Sequence, residues 1–334
     1  MNMKNYQAAQ PNSELKAREP ALSALAYNLR GVLSMLLLYA NTLFWFAFLL
    51  PIAFLKLAVP VRGWRKFCGL LLNGIAVSWI SVNNFNLSWS QRIRWDVRGM
   101  EGLSLNQWYL VISNHQTWVD IVVLQKVFNR RIPFLKFFLK KELIWVPILG
   151  VAWWALDFPF MKRYSASFLK MHPHLKGKDM EITRKVCKKF RSIPVSIMNF
   201  VEGTRFTREK HDAQKSPFAH LLKPKAGGIG FVLSAMGEQL SSILNVTIIY
   251  PGGDKGFWSF LCGRIREIRV IVERLPVTSA MLGDYTEDQK FQAQFQKWVN
   301  DLWRKKDALI DSCRGGQILA DYKAGNQGGA EHDA

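Results

Sequence analysis

From Gly31 to Leu55 the chain runs through 25 residues without a charge, GVLSMLLLYANTLFWFAFLLPIAFL. About 20 apolar residues suffice to cross a bilayer, so this stretch predicts a membrane helix. It begins too late and lacks the small-residue cleavage site of a signal peptide. Asn41 and Pro51 permit a kink inside it. A second uncharged stretch, Phe67 to Gln91, is richer in Asn and Ser and reads as membrane-compatible only to about Ile80. Lys56, Arg62, Arg65 and Lys66 lie between the two. Two architectures fit: a single span with this basic cluster on the cytoplasmic side, or a helical hairpin or shallow re-entrant pair. Lys16, Arg18 and Arg30 flank the other end, so the positive-inside rule does not decide between them.

After about Arg92 the pattern changes. Ile93–Val97, Trp108–Ile112, Phe158–Met161, Val195–Val201, Ile243–Tyr250 and Arg264–Arg274 read as strands. Helices are expected after Asp120, over Asp179–Arg191, over Gly227–Met236, and over the long amphipathic run Thr286–Ile310. The apolar run Phe134–Trp154, broken by Pro147 and Gly150, either packs on the core or dips into a membrane interface. Strands separated by helices predict an α/β fold, with a mixed, mostly parallel sheet flanked by helices. The expected organisation is a mobile tail over 1–20, a membrane helix or helical hairpin over 21–91, a catalytic domain over 92–312, and a disordered Gly-rich tail over 313–334.

Composition narrows the partners. Hydrophobic residues make up 49% of the chain, with 13 Trp and 22 Phe, and the formal net charge is +20. So basic a chain calls for an anionic partner. The membrane stretch favours an anionic lipid surface over nucleic acid, and neither a zinc spacing nor an RNA-binding strand signature is present. Cys68, Cys187, Cys262 and Cys313 are widely spaced, which predicts free thiols in a reducing compartment. His172-Pro173-His174 has no acidic or Cys partner at ligand spacing, so no metal site is expected.

Two segments carry chemistry. Asn114-His115-Gln116-Thr117-Trp118-Val119-Asp120 leaves one strand and enters a helix. The five-residue step lets Asp120 reach one ring nitrogen of His115, freeing the other to take a proton from an alcohol. Helix N-terminal amides are expected to stabilise an oxyanion nearby. Trp118 reads as core rather than pocket wall. Phe200 to Thr207, FVEGTRFT, leaves another buried strand. There Gly203 lets backbone approach a ligand, Arg205 is fitted to clamp a phosphate, and Glu202 is expected to accept a hydrogen bond from a polyol hydroxyl.

In that order and behind a membrane segment, NHQTWVD and VEGTRF resemble the glycerolipid acyltransferase superfamily, most closely the membrane-bound lysophosphatidate acyltransferases. EGTRFT-x-x-KH at Glu202–His211 is similar to the bacterial inner-membrane branch, related to lysophospholipid and lysocardiolipin acyltransferases. The resemblance covers roughly Arg92 to Leu309 and extends to further blocks: Lys140–Pro147, Asp157–Arg163, Asn245–Pro251, and Lys225 ahead of a helix. Val201 stands where relatives often carry Pro, and the second block departs from Gly-x-Ile-Phe; both bear on acceptor preference more than on the chemistry.

The resemblance implies that His115, held by Asp120, deprotonates the free hydroxyl of lysophosphatidic acid. The oxygen then attacks an acyl thioester, of coenzyme A or of acyl carrier protein, to give phosphatidic acid. It also implies acceptor binding by Glu202, Gly203, Thr204, Arg205, Lys140, Arg163 and Lys225. No cofactor, metal or stable protein partner is expected, and the catalytic domain should face the cytoplasm from a bacterial inner membrane. Two other readings fit: a lysophospholipid remodelling enzyme for another headgroup, or a non-enzymatic anchored basic protein that binds anionic lipid or nucleic acid.

Overall fold

The computed structural model describes residues 21–161 and 193–314, apart from 254 and 286, together with isolated positions 171, 187 and 190. The tails, the His172–His174 loop, Arg163 and nearly all of the helix expected over Asp179–Arg191 lie outside them.

Two long helices open the chain, α1 (Ala21–Ala58) and α2 (Arg62–Ser90), folded back on each other through a three-residue turn. Both are long and apolar enough to cross a membrane. α2 continues past Ile80 to Ser90, and Asn83 on it has a partner across the hairpin. Asn41 Nδ2 donates to Asn83 Oδ1 at 2.7 Å and to the Trp79 carbonyl at 3.0 Å. Apolar side chains on α1 remain exposed, among them Leu29, Leu36, Phe44 and Phe54.

A six-stranded sheet follows, in the order β1-β8-β7-β2-β6-β3. Its strands are β1 (Arg94–Arg98), β2 (Tyr109–Ser113), β3 (Leu135–Phe137), β6 (Ser196–Phe200), β7 (Ser242–Ile249) and β8 (Glu267–Leu275). Every pairing is parallel except β7 with β8. This is the expected mixed, mostly parallel sheet flanked by helices. Two short strands, β4 (Leu139–Lys140) and β5 (Phe160–Met161), pair separately.

Alternation along β2 divides the core into two layers. Tyr109 and Val111 point toward α3 (Val119–Phe128), α4 (Leu149–Ala155) and the hairpin, where Leu49, Ala53, Leu72, Ala76 and Leu87 join the same cluster. Leu110 and Ile112 point the other way, toward α6 (Gly227–Met236) and α8 (Gln289–Arg314), which add Ile229, Val232, Val299 and Trp303. The hairpin is therefore part of the core. Within the apolar run Phe134–Trp154, Leu135 and Phe137 are buried in the core, whereas Trp145 is 84% exposed. The short helices α5 (Arg208–Gln214) and α7 (Phe257–Leu261) complete the described α-helices. All four cysteines are free and buried.

Candidate active site

The parallel register brings the C-terminal ends of β2, β6 and β7 to one rim, where loops can carry chemistry. Asn114, directly after β2, acts as a side-chain peptide. Its Nδ2 donates to the Ile248 carbonyl and its Oδ1 accepts from the Ile248 amide, both at 2.9 Å, which fixes where the chain leaves the sheet.

His115 comes next, and its Nδ1 lies 2.9 Å from Asp120 Oδ2. The imidazole stacks on Phe200 at the end of β6, 3.8 Å between centroids and 12° apart. Asp120 is fully buried in the first turn of α3. The same Oδ2 also accepts from the amides of Gln116 at 2.6 Å and Thr117 at 2.9 Å, while Oδ1 accepts from Tyr250 Oη at 2.7 Å. Burial, together with the neighbouring Asp120 charge, holds the Tyr250 phenol well above its usual range, so it stays a donor. The carboxylate is thus held from four directions, and the imidazole has one orientation. Among the described residues none hydrogen-bonds Nε2. The histidine side chain is 12% exposed.

The oxyanion expectation does not fit this loop. The amides of Gln116 and Thr117 point at Asp120, and those of Val119, Asp120 and Ile121 go to Thr117 Oγ1, the Thr117 carbonyl and the Trp118 carbonyl. The start of α3 spends its donors on orienting the carboxylate.

Glu202 also departs from expectation. It is fully buried, and its two oxygens accept from the amides of His115 and Leu222, each at 3.0 Å. It braces the His115 loop from beneath and is not open to a polyol hydroxyl. Burial pushes its carboxyl up to about 8, although both amides favour the charged form. Lys306 on α8, also buried, donates to the Val246 carbonyl and Thr247 Oγ1, and burial pulls it down to about 7. The folded chain therefore keeps a proton on Glu202 that the unfolded chain releases above about pH 4.5. Its contribution to stability is full below that pH and lost as pH rises toward about 8. Lys306 works in the opposite sense above about pH 7. Glu202→Gln should thus flatten the fall in melting temperature between about pH 5 and 7, at a cost of about 1–3 kcal/mol for the amide left without an acceptor. Thermal unfolding at three pH values checks this; an unchanged slope contradicts it.

The remaining expected residues fall at different places. Gly203 has φ +70°, a left-handed turn that favours glycine and lets the chain double back after β6. Thr204 Oγ1 accepts from Lys210 Nζ at 2.8 Å. The Arg205 guanidinium lies over the Trp118 ring, 4.4 Å from its centroid. Trp118 is 51% exposed, so it is a platform beside the site and not core. Lys225 is exposed directly ahead of α6, and its amide donates to the Val201 carbonyl. Lys140 is exposed on β4, and no hydrogen bond among the described residues ties it to the His115 loop.

Two residues at the site were not foreseen. Tyr250 completes the hold on Asp120. Lys255, in the loop after β7, hydrogen-bonds Gln116 Oε1, sits over Phe206 and accepts Thr117 Oγ1 on its carbonyl at 2.6 Å. Tyr250 was legible from parity, since Leu244, Val246, Ile248 and Tyr250 all face the α3 side. Lys255 gave no local signal. Among the described residues no group of three or more His, Cys, Asp or Glu is placed to hold a metal.

Residues 94–251 match the family model described as Acyltransferase. Curated relatives include 1-acyl-sn-glycerol-3-phosphate acyltransferase epsilon of Mus musculus, 25% identical over 60% of this chain and 56% of that protein. The gamma form of Homo sapiens is 26% identical over 60% and 52%, and form 3 of Arabidopsis thaliana is 25% identical over 64% and 56%. This chain thus spans little more than half the length of these relatives. The crystal structure of the 1-acyl-sn-glycerophosphate acyltransferase of Thermotoga maritima is 16% identical, covering 83% of this chain and 97% of that one, with a TM-score of 0.46.

Proposed function

We propose that the chain, whose residues 94–251 match the Acyltransferase family model and which is similar to 1-acyl-sn-glycerol-3-phosphate acyltransferases, transfers a fatty acyl group from an acyl thioester to the free hydroxyl of lysophosphatidic acid. The products are phosphatidic acid and the free thiol. The observation that carries this reading is the 2.9 Å contact of His115 Nδ1 with an Asp120 that is itself held by two amides and a phenol. Asp120 fixes the tautomer with its proton on Nδ1, so Nε2 is the base. Nε2 takes the hydroxyl proton as the oxygen attacks the thioester carbonyl. The tetrahedral intermediate collapses by breaking the carbon–sulfur bond, and the imidazolium returns its proton to the departing sulfur. No acyl-enzyme and no cofactor enters this scheme.

Arg205 is assigned the acceptor phosphate. Stacking on Trp118 flattens its choice of orientation and leaves its edge for a bidentate contact. Arg205→Ala should raise the Michaelis constant for lysophosphatidic acid by about ten- to a hundredfold, the worth of a charge-assisted contact of about 1.5–3 kcal/mol. Its turnover number should move far less. Steady-state kinetics decide, and an unchanged Michaelis constant removes Arg205 from the headgroup. Lys225 and Arg163 are carried as secondary phosphate cations by resemblance alone, and exposed Lys140 likewise.

The bilayer is assigned to the hairpin, whose apolar face on α1 is exposed. Asn28 accepts from Trp258 of α7, and Lys56 pairs with Asp157 beside α4 at 2.5 Å. Those two attachments lie about 42 Å apart along α1, longer than the roughly 30 Å hydrocarbon layer. A perpendicular crossing would drag the sheet's polar flank into lipid, so the hairpin is read as lying in one leaflet, with the site at the cytoplasmic surface of an inner membrane. An acceptor panel in detergent micelles tests the assignment: lysophosphatidic acid should be preferred over lysophosphatidylcholine and lysophosphatidylglycerol. Preference for a headgroup other than phosphate would move the assignment to a remodelling enzyme.

A further inference from the structure

The rim that carries His115 also carries arginines that the acyl-transfer scheme does not use. β8 runs antiparallel to β7, with Ile249 paired to Arg269, so the segment leading into β8 reaches the same end of the sheet. β1 runs parallel to β8, with Arg94 paired to Glu267, and brings the segment around Arg92 alongside. The first turns of α1 pack here, and Tyr27 forms the centre of the group. The guanidinium carbons of Arg30, Arg264 and Arg266 lie 5.9, 5.6 and 5.8 Å from its ring centroid. Arg266 also donates to the Tyr27 hydroxyl.

Ser23, Ala26, Tyr27, Arg30, Arg92 and Arg266 line a cavity of about 380 Å³. Among the described residues no carboxylate lines it. The acid at the start of β8, Glu267, gives one oxygen to Arg94 and the other to Arg269. Like charges gathered around one ring repel, and a bound anion removes that cost. The chemistry of the lining, guanidinium forks with a hydroxyl and a phenol, suits phosphate. Directly along α1 the surface turns apolar: Leu25, Leu29, Val32, Leu33 and Leu36 are 45–61% exposed. A cationic cavity at the foot of an exposed apolar helix face fits a ligand with a charged head and hydrocarbon tails.

We propose that the cavity around Tyr27 binds the phosphate of an anionic phospholipid, whose acyl chains lie along the exposed face of α1. The site shares no residue with the His115 loop and does not depend on the acyl-transfer reading. Bound lipid ties the root of the hairpin to the β1–β8 edge at headgroup depth, which sets the height of the catalytic rim above the bilayer.

The test uses the full chain in a neutral detergent, titrated with dioctanoyl phosphatidylglycerol or dioctanoyl phosphatidylcholine and read by native mass spectrometry. The wild type should retain the anionic lipid in preference to the zwitterionic one. The double variant Arg30→Gln/Arg266→Gln should weaken phosphatidylglycerol binding by about thirtyfold, and Arg92→Gln alone by about fivefold, on the basis of the worth of each basic residue near an anionic headgroup. His115→Ala and Arg205→Ala should bind it as the wild type does, which separates this site from the catalytic one. If the double variant fails to fold, Arg92→Gln decides. Unchanged binding in a folded Arg92→Gln protein overturns the proposal. So does complete displacement of the lipid by inorganic phosphate at matched concentration, which would mark a site for free phosphate.

Discussion

His115→Ala is expected to lower acyl transfer by about a hundred- to ten-thousandfold, the range for removing a positioned general base. The loss should appear in the turnover number, with the Michaelis constant for the acceptor little changed, because the headgroup is assigned to Arg205. The fold should survive. The ring's hydrogen bond in the structure is to Asp120, which keeps its bonds to the amides of Gln116 and Thr117 and to Tyr250. The ring's stacking on Phe200 is lost, a modest cost at a half-buried position. Circular dichroism and partition into membranes should therefore match the wild type. Activity within threefold of the wild type (roughly 0.7 kcal/mol, below any base's contribution) would remove His115 from the chemistry.

Asp120→Asn should be nearly as damaging, for a different reason. An asparagine can place its oxygen where Oδ2 now receives His115 Nδ1 and two amides, and its NH2 toward Tyr250, whose hydroxyl is able to accept. The loop is thus kept. What disappears is the charge that stabilises the imidazolium as Nε2 takes the proton. A turnover loss of about a hundred- to ten-thousandfold is expected, with unfolding shifted by no more than about 2 kcal/mol. Tyr250→Phe is the control. It removes one neutral donor from Oδ1 and leaves the buried carboxylate short of a partner, so it should cost about 1–3 kcal/mol of stability and no more than about tenfold in turnover. If Asp120→Asn and Tyr250→Phe lose activity equally, the pair works through the stability of the loop and not through charge.

The order of these effects bears on what the sequence made visible. The step from His115 to Asp120 is local: a short loop running into the first turn of α3 closes it, and the spacing is enough to find it. Five of the six sheet strands were legible because buried strands read as short apolar runs between helices, whereas β3, inside the apolar run Phe134–Trp154, was not read as a strand. Glu202 was misjudged because its direction depends on what lies beneath the loop. The residue after a buried strand can turn outward to a ligand or inward to bare amides, and here His115 and Leu222, from two other segments, supply the amides. Trp118 was misjudged because an aromatic residue between Thr117 and Val119 looks like core, while its partner, Arg205, arrives from a distant strand end. The second apolar stretch reads as membrane-compatible only to about Ile80 because Asn83 looks too polar for lipid until Asn41 is placed opposite it. Contacts across the fold, not local propensity, decided all three. The unforeseen Lys255 is of the same kind, a loop residue recruited by the turn it packs against.

The central claim is that an imidazole–carboxylate pair passes an acyl group directly from a thioester to the hydroxyl of a phosphate-bearing lysolipid. Thiol release from an acyl thioester, followed with and without lysophosphatidic acid in detergent micelles, tests it most directly. The account predicts that thiol appears only when the acceptor is present, in step with an equal amount of phosphatidic acid, and that His115→Ala abolishes both. Thiol release that ignores the acceptor, or none with any thioester tried, would contradict it.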